Sequence, residues 1–237
     1  YSHFEQNKKV HLLVENSIVH LENCELSKGN QAIWVKSKSN AYLNNVKVHH
    51  HTGTQLVIQN HSLLDMRECE IKQGEGNGIY ASEHSKIHLT QTTVHHHTLP
   101  QLWIQNSSLN ISECQIQHGN ESGIMLREYA EATISDTLLS FHKIANVQLT
   151  FESLLNMTNS EVYNCQGVGI QLKEKSIANF IDTVFAHNVL PQLFITESSI
   201  CTLKSVTIED GKQIGVFTEK GASCSIVSST ITGHKNA

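Results

Sequence analysis

Apolar and polar residues alternate in short runs along the whole chain, and these runs recur at a fixed interval. Residues 94–106, VHHHTLPQLWIQN, nearly repeat residues 48–60, VHHHTGTQLVIQN, at a shift of 46 residues. Weaker copies follow at the same step near residues 141, 186 and 232. Self-similarity at a fixed period of this size is typical of a repeat protein, in which each unit packs on its neighbours.

Each 46-residue unit divides into two halves of 22 or 23 residues, one opened by Gln, as at Gln55, and one opened by Gly, as at Gly78. Within each half, three segments alternate with a period of two, which predicts β-strands because successive strand side chains point to opposite faces. Counting the halves predicts ten coils. The inward residues predicted for four successive coils are Leu56, Ile58, Leu64, Met66, Cys69 and Ile71, then Ile79, Ala81, Ile87, Leu89, Thr92 and Val94, then Leu102, Ile104, Leu109, Ile111, Cys114 and Ile116, then Ile124, Leu126, Ala132, Ile134, Thr137 and Leu139.

Three strands per turn of about 23 residues predict an all-β fold, a parallel β-helix whose successive coils pair at about 4.8 Å. Ten such coils predict a rod about 48 Å long. The pattern resembles the right-handed β-helix superfamily of pectate lyases, polygalacturonases and carbohydrate-binding β-helix modules. The alternative, a leucine-rich repeat, requires an LxxLxLxxN pattern that the sequence lacks. The resemblance implies a right-handed, three-sheet solenoid, but a fold carries no activity without its site.

The domain organisation predicted is a single solenoid over residues 1–237. Residues 1–10 form a poor polar cap, and the last repeat stops at a turn that contains His. Solenoids usually carry polar caps over their open sheet edges. We therefore expect a domain excised from a longer protein, with coil ends able to self-associate.

Composition narrows the classes of partner. Charged residues make up 16% of the chain and the net charge is −5, so no nucleic-acid partner is predicted. No apolar run of 18 residues occurs, so no membrane-spanning helix is predicted.

Three of the six cysteines form a regular series. Cys24, Cys69 and Cys114 recur every 45 residues, so they stand two coils apart, beyond the Cα separation of about 7 Å that a disulfide tolerates. We predict small, buried, reduced side chains. Free thiols favour a cytoplasmic location, with secretion as the alternative.

The catalytic motifs implied by the resemblance are absent. For a pectate lyase, the resemblance implies an acidic calcium-binding site with a catalytic Arg. For a polygalacturonase, it implies NxD, DD, GHG and RxK motifs. None of these occurs here. The sequence therefore predicts no enzyme and no cofactor.

Glu174 and Glu197 would stand about 5 Å apart, as the carboxyls of a retaining glycosidase do, but a solvated turn is the preferred interpretation. The acidic column to which they belong is Glu83, Glu128, Glu174 and Glu197.

Histidine triplets occupy residues 49–51 and 95–97. Zinc requires ligands that converge on one ion at about 2 Å, whereas equivalent residues of the two triplets would stand about 9.6 Å apart. Neighbouring side chains within a triplet are expected to diverge. The sequence thus predicts no metal site. The preferred interpretation is a column of turn residues that stack and form hydrogen bonds, and pH sensing near neutrality is the alternative. That column is His50, His96, His142, His187 and His234.

The outward residues of the first strand in each coil are unexpectedly apolar, whereas outward residues of the other strands are mostly polar. An exposed apolar stripe usually marks an interaction surface, and Trp and Tyr concentrate binding energy. We expect the stripe to bind a partner or to be covered by another part of its own polypeptide. Tyr80 and Trp103, in adjacent coils, should stack at about 5 Å. The predicted binding residues are Trp34, Val57, Tyr80, Trp103, Met125, Phe194 and Phe217, with Gln148 and Gln171 as a polar interval.

Three functions remain open. The leading hypothesis is a non-catalytic scaffold that presents the stripe to a protein partner or to a neighbouring domain. Such β-helices resemble accessory domains of larger bacterial proteins, including AAA-type ATPases of the sporulation and type VII secretion kind. The second hypothesis is a carbohydrate-binding module with Gln55, Gln59, Gln101 and Gln105 beside the rings. The third is a glycan-active hydrolase or lyase.

Overall fold

The protein is described by a computed structural model over residues 2–235. These residues form strands joined by short turns, with no helix among them. The chain passes through three parallel sheets in a fixed order, and each circuit makes one coil. We call the sheets I, II and III in the order in which a coil visits them.

Each sheet takes every third strand of the chain. Sheet I contains β2 (Val10–Glu15), β5 (Gln31–Lys36), β8 (Leu56–Ile58), β11 (Ile79–Ala81), β14 (Leu102–Gln105), β17 (Ile124–Arg127), β20 (Ala145–Leu149), β23 (Val168–Leu172), β26 (Leu193–Ile195) and β29 (Val216–Thr218). Sheet II contains β3 (Ile18–Glu22), β6 (Asn40–Asn44), β9 (Leu63–Arg67), β12 (Lys86–Thr90), β15 (Ser108–Ser112), β18 (Glu131–Ser135), β21 (Leu154–Thr158), β24 (Ile177–Ile181), β27 (Ile200–Lys204) and β30 (Ser223–Val227). Sheet III contains β1 (Ser2–Glu5), β4 (Cys24–Gly29), β7 (Lys47–His51), β10 (Glu70–Lys72), β13 (Thr93–His95), β16 (Gln115–Gln117), β19 (Leu138–Ser140), β22 (Glu161–Tyr163), β25 (Val184–Ala186), β28 (Thr207–Glu209) and β31 (Thr230–Thr232).

The register of these sheets follows the sequence repeat. Leu56 pairs with Ile79, and Ile79 pairs with Leu102, so each coil advances the chain by 23 residues at this position. The same parallel pairing joins neighbouring coils throughout all three sheets. The predicted three-sheet parallel β-helix of about ten coils is therefore confirmed.

One continuous apolar core fills the space between the sheets. The inward residues predicted from the period of two are buried in every sheet, for example Ile79, Ile87 and Val94, all with no exposed surface. Burial of a Leu or Ile side chain contributes about 1.5–3 kcal/mol relative to leaving it exposed. Because each coil buries its own apolar faces against its neighbours, the stack is held together along its whole length.

The cysteine series supports the turns of the solenoid. Cys24, Cys69 and Cys114 are buried and free, as predicted. The Cys69 thiol also accepts a hydrogen bond from the Val46 N–H at 3.4 Å, and Thr92 uses its hydroxyl in the same way toward the Cys69 N–H. These side chains thus satisfy buried backbone donors between coils, which a purely apolar residue would leave unpaired.

A buried polar column explains why the sequence repeats every two coils. His97 and His142 are fully buried where sheet III turns into sheet I. The Nδ1 of each ring faces a side-chain amide oxygen four residues on, that of Gln101 for His97 and that of Asn146 for His142. Gly119 takes the same place in the intervening coil, where a Cβ would lie 2.7 Å from His142 Cδ2. In these coils, alternation of imidazole and glycine fills the column without overlap.

Candidate functional site

The predicted aromatic stripe forms a single aligned column on the outer face of sheet I. Trp34 pairs with Val57, Val57 with Tyr80, Tyr80 with Trp103, and Trp103 with Met125. Beyond Met125 the column continues through two glutamines and ends at two phenylalanines. Leu13, which the sequence analysis missed, pairs with Trp34 and extends the stripe by one coil, with 46% of its surface exposed. The outward residues from Leu13 onward are Leu13, Trp34, Val57, Tyr80, Trp103, Met125, Gln148, Gln171, Phe194 and Phe217.

The stripe is less exposed than the sequence analysis expected. Val57 is only 7% exposed, and Trp34, Tyr80, Trp103 and Met125 are half-buried. The reason is lateral packing, because outward side chains one strand apart cover one another. What remains accessible is a shallow row of ring edges and faces rather than a fully exposed stripe.

Tyr80 and Trp103 do not stack face to face. Their ring centroids are 6.0 Å apart, and the ring planes meet at 86°. This edge-on arrangement is one of the two that aromatic quadrupoles favour. The predicted contact between the two rings is present, but the predicted stacked geometry is wrong.

A repeated contact between a ring and an amide runs along this face. The Trp34 Nε1–H donates to Gln59 Oε1 at 3.0 Å, and the Tyr80 hydroxyl donates to Gln105 Oε1 at 3.3 Å. In each contact the amide belongs to the next coil. We call Trp34, Gln59, Tyr80 and Gln105 the aromatic–amide ladder. The ladder fixes the orientation of each ring and leaves amide groups beside it.

The glutamines predicted to flank the stripe divide between the two sides of the sheet. Gln59 and Gln105 lie on the outer face, as expected. Gln55 and Gln101 are fully buried. Their side-chain amides donate to backbone carbonyls of sheet III, Gln55 to Lys72 O at 2.8 Å. Prediction of Gln55 and Gln101 as surface residues is therefore wrong, because they belong to the inner corner column.

The ladder ends where a cation replaces the amide. The place next to Trp103 is taken by Arg127 of the following coil, whose guanidinium only donates hydrogen bonds. The Trp103 Nε1 is buried without a partner in the described part of the chain. Arg127 instead covers the Phe151 ring, with 5.1 Å from Cζ to the centroid. At the other end, Lys36 lies 5.0 Å from the Trp34 centroid. Cations thus border the ladder on both sides.

Phe194 and Phe217 form a separate cluster further along the same face, which we call the phenylalanine pair. The rings stack with centroids 5.4 Å apart and planes at 5°. They line a groove of about 410 Å³ together with Val168, Leu190 and Pro191. Gln148 and Gln171, hydrogen-bonded to each other at 3.0 Å, separate this pair from the ladder, as the sequence suggested.

The acidic column lies at the corner between sheets I and II. Glu128 accepts a hydrogen bond from Gln105 Nε2 at 2.7 Å, which ties the column to the ladder. Glu174 accepts from the Phe151 N–H at 3.2 Å, and Glu197 lies 3.5 Å from Lys220 Nζ. Each of these two carboxylates thus has its own partner, as a solvated turn requires. Within residues 2–235, no three His, Cys, Asp or Glu side chains are arranged to hold a metal ion.

The predicted histidine column divides into two positions at the corner between sheets III and I. His50, His96 and His187 take the outer position, with φ of 58°, 60° and 59°. His142 is buried in the inner position, because Phe141 occupies the outer one in that coil. Burial lowers the pKa of His142 to about 4. His142 is therefore not equivalent to these three residues, and the alternative of a column that senses pH near neutrality is wrong for His142.

Comparison with known proteins supports the fold at the level of sequence and of structure. The family model for the right handed beta helix region matches residues 1–108, 56–176 and 101–237, which together span the chain. No curated protein sequence matches this chain significantly. None of the described residues forms a helix that is long and apolar enough to cross a membrane.

Three solved structures illustrate the structural likeness. The periplasmic alginate epimerase AlgG aligns with a TM-score of 0.74 at 9% identity, over 96% of this chain and 72% of that chain. The pectate lyase Pel9A gives 0.56 at 12% identity, over 95% and 70%. The Azotobacter vinelandii mannuronan C-5 epimerase AlgE6 A-module gives 0.53 at 11% identity, over 95% and 76%. At such identities the likeness shows a shared fold.

The prediction that this chain is not an enzyme is contradicted by these comparisons. The three aligned structures are two epimerases and a lyase, each named for a polysaccharide. The fold is therefore associated with enzymes. The missing lyase and polygalacturonase motifs exclude only those two designs of active site.

Proposed function

The chain belongs to the right-handed β-helix family, and from that premise we propose that it is a carbohydrate-active protein that binds a linear polysaccharide along sheet I. The binding surface is the stripe of Trp34, Val57, Tyr80, Trp103 and Met125, together with the glutamines of the aromatic–amide ladder. The polymer runs along the axis of the solenoid, parallel to the column of rings.

The aromatic–amide ladder is the observation that carries this proposal. A sugar ring presents an apolar C–H face and a rim of hydroxyls, so it requires an aromatic surface and hydrogen-bonding groups side by side. Trp34 and Tyr80 supply the rings, and Gln59 and Gln105 supply amides at 3.0 and 3.3 Å from them. The arrangement recurs after two coils, about 9.6 Å along the axis, as recognition of a repeating polymer requires.

A glycan suits this face better than the protein partner of the leading hypothesis. A protein-binding hot spot is a compact, fully desolvated cluster of anchors, whereas these rings form a narrow row interrupted by amides and bordered by Lys36 and Arg127. The aligned structures, which are named for alginate, mannuronan and pectate, support a polysaccharide ligand. No comparison supports a link to an ATPase.

The proposed ligand also bears on location. The cytoplasmic location predicted from the free thiols stays a prediction. The alginate epimerase that aligns with this chain is described as periplasmic, which favours the secreted alternative. A polysaccharide outside the cytoplasm is the ligand that we propose.

The test is a glycan array followed by calorimetry on the polysaccharide that binds. We expect Trp103→Ala to weaken binding about 30-fold, because a central aromatic anchor is worth about 2 kcal/mol. Asn110→Ala is the matched control, since Asn110 lies in the same coil but faces outward from sheet II. Unchanged affinity in Trp103→Ala, or binding of a protein and no glycan, would contradict the proposal. Analysis of the glycan after incubation measures any cleavage or epimerisation.

A further inference from the structure

Two copies of one side-chain constellation lie at the corner between sheets III and I. In the first, Glu25 Oε1 is 2.8 Å from His49 Nε2, and His49 Nδ1 is 2.6 Å from His50 Nδ1. His49 is 15% exposed on its side chain, and His50 lies at the surface with a φ of 58°. The constellation thus places two imidazole nitrogens together at the surface.

The second copy repeats this geometry two coils further along. Glu70 Oε1 is 3.2 Å from His95 Nε2, and His95 Nδ1 is 2.6 Å from His96 Nδ1. The His95–His96 rings meet edge-on at 4.9 Å, as the His49–His50 rings do. A geometry that recurs with the same atoms in two coils belongs to the repeat and not to one local rotamer.

The backbone explains why these neighbours converge rather than diverge. In an extended strand, side chains of successive residues point to opposite faces. His50 and His96 have φ of 58° and 60°, outside the extended region, so the alternation ends after His49 and His95. The expectation that side chains within a triplet diverge is therefore wrong for these two pairs.

Each carboxylate also sets the tautomer of its imidazole. An ionised carboxylate only accepts hydrogen bonds, so the nitrogen facing it, Nε2 of His49 or of His95, carries the proton. The Nδ1 of the same ring then presents a lone pair toward the second histidine. Carboxylate contact to the remote nitrogen is how metal-bound histidines are usually oriented.

We infer that the His49–His50 and His95–His96 pairs are two binding sites for a divalent transition metal ion, each supplying two Nδ1 ligands. Water completes the coordination shell, because no third protein ligand converges on either pair within residues 2–235. Imidazole nitrogen suits Cu²⁺, Ni²⁺ and Zn²⁺. The chain therefore offers two separate sites, about 9.6 Å apart along the solenoid.

Copper is the ion that we expect to bind most tightly. The 2.6 Å contact is itself a hydrogen bond, in which the Nδ1–H of the second histidine donates to the Nδ1 lone pair of the first, so an ion that binds both nitrogens displaces that proton. Copper forms the most stable complexes of the first-row divalent ions.

The positive charge of each lysine near the two histidine pairs is neutralised by a glutamate. Lys28 lies 2.5 Å from Glu5, and Lys72 lies 2.8 Å from Glu70. Glu70 therefore contacts both Lys72 and His95, and Glu25 likewise contacts His3, at 3.7 Å, as well as His49.

The test is calorimetric titration of the metal-stripped protein with Cu²⁺ in a non-coordinating buffer. His50→Gln and His96→Gln should each lower the number of bound ions by one relative to the unmodified protein, and the double variant should lower it by two. Glu25→Gln should weaken the first site about 10-fold or more, because the orienting contact is lost. His187→Gln is the matched control, since His187 has the same corner φ of 59° but follows Ala186.

Electron paramagnetic resonance of the Cu²⁺ complex gives a second measurement. We expect coordination by two nitrogens at each site, and loss of that signal in the double variant. A double variant that binds as many Cu²⁺ ions as the unmodified protein overturns the inference, as does a loss of equal size in His187→Gln. Circular dichroism and melting of each variant separate lost ligands from lost structure.

Discussion

The two aromatic clusters on sheet I occupy equivalent positions in different coils, yet their surroundings differ. In the ladder, each ring with a polar atom donates to an amide of the next coil, and Lys36 and Arg127 lie at its ends. In the phenylalanine pair, two rings without polar atoms stack in parallel beside an apolar groove. Position in the fold therefore does not decide what a column of rings does. The neighbouring outward residues decide it.

Both clusters depend on the same folded core. The largest effect that we expect is a loss of stability of that core in acid. Burial lowers the pKa of His142 to about 4, from 6.5 in the unfolded chain. Between pH 6.5 and pH 4, the unfolded state binds a proton at this histidine that the folded state does not bind. The free energy of unfolding is therefore highest above pH 6.5 and falls as the pH drops toward 4. The loss approaches about 3 kcal/mol for this residue, at about 1.4 kcal/mol per pKa unit.

The measurement is urea unfolding of the protein and of His142→Asn between pH 7 and 4. Asn188 already occupies the equivalent inner position two coils later and is fully buried, so asparagine suits the site. The variant should show a shallower dependence of unfolding free energy on pH. Identical slopes for the two proteins would show that His142 does not control acid sensitivity.

A double substitution separates the two clusters directly. Replacing Tyr80 and Trp103 with Ala should reduce glycan affinity about 100-fold or more, because each aromatic anchor contributes about 2 kcal/mol of binding free energy. Replacing Phe194 and Phe217 with Ala should reduce it less than threefold. Calorimetry on both variants checks this, and an equal loss would mean that the clusters form one surface.

The amide half of the ladder should contribute a smaller amount. Gln105→Leu removes an acceptor from the Tyr80 hydroxyl and a donor to Glu128. We expect about a fivefold loss of glycan affinity, because a hydrogen bond contributes about 1 kcal/mol. Gln171→Leu, outside the ladder, is the control. A similar loss in both variants would remove the distinction between ladder and interval.

The fold could be predicted from the sequence because a period of two and a repeat of about 23 residues leave few alternatives. The inward columns and the register of Trp34, Tyr80 and Trp103 follow directly from that count. Side-chain geometry could not be predicted. The edge-on contact of Tyr80 with Trp103, for instance, depends on rotamers that the amide of Gln105 helps to hold.

The corner between sheets III and I was the least predictable region. Phe141 takes the outer position there and moves His142 inward, a shift of one residue that the spacing of histidines conceals. Positive φ at His50 and His96 likewise brings neighbouring rings together where a strand would separate them. Corners that end a strand therefore need the backbone conformation before side chains can be placed.

Intrinsic fluorescence tests the central claim most directly, because both tryptophans of the chain, Trp34 and Trp103, lie on the proposed glycan face. Titration with the glycan selected on the array should change the tryptophan emission in a saturable way, with the same Kd as calorimetry. Trp34→Phe and Trp103→Phe should each retain part of the change. Calorimetric binding with no change in emission would place the glycan elsewhere on the solenoid and contradict the account.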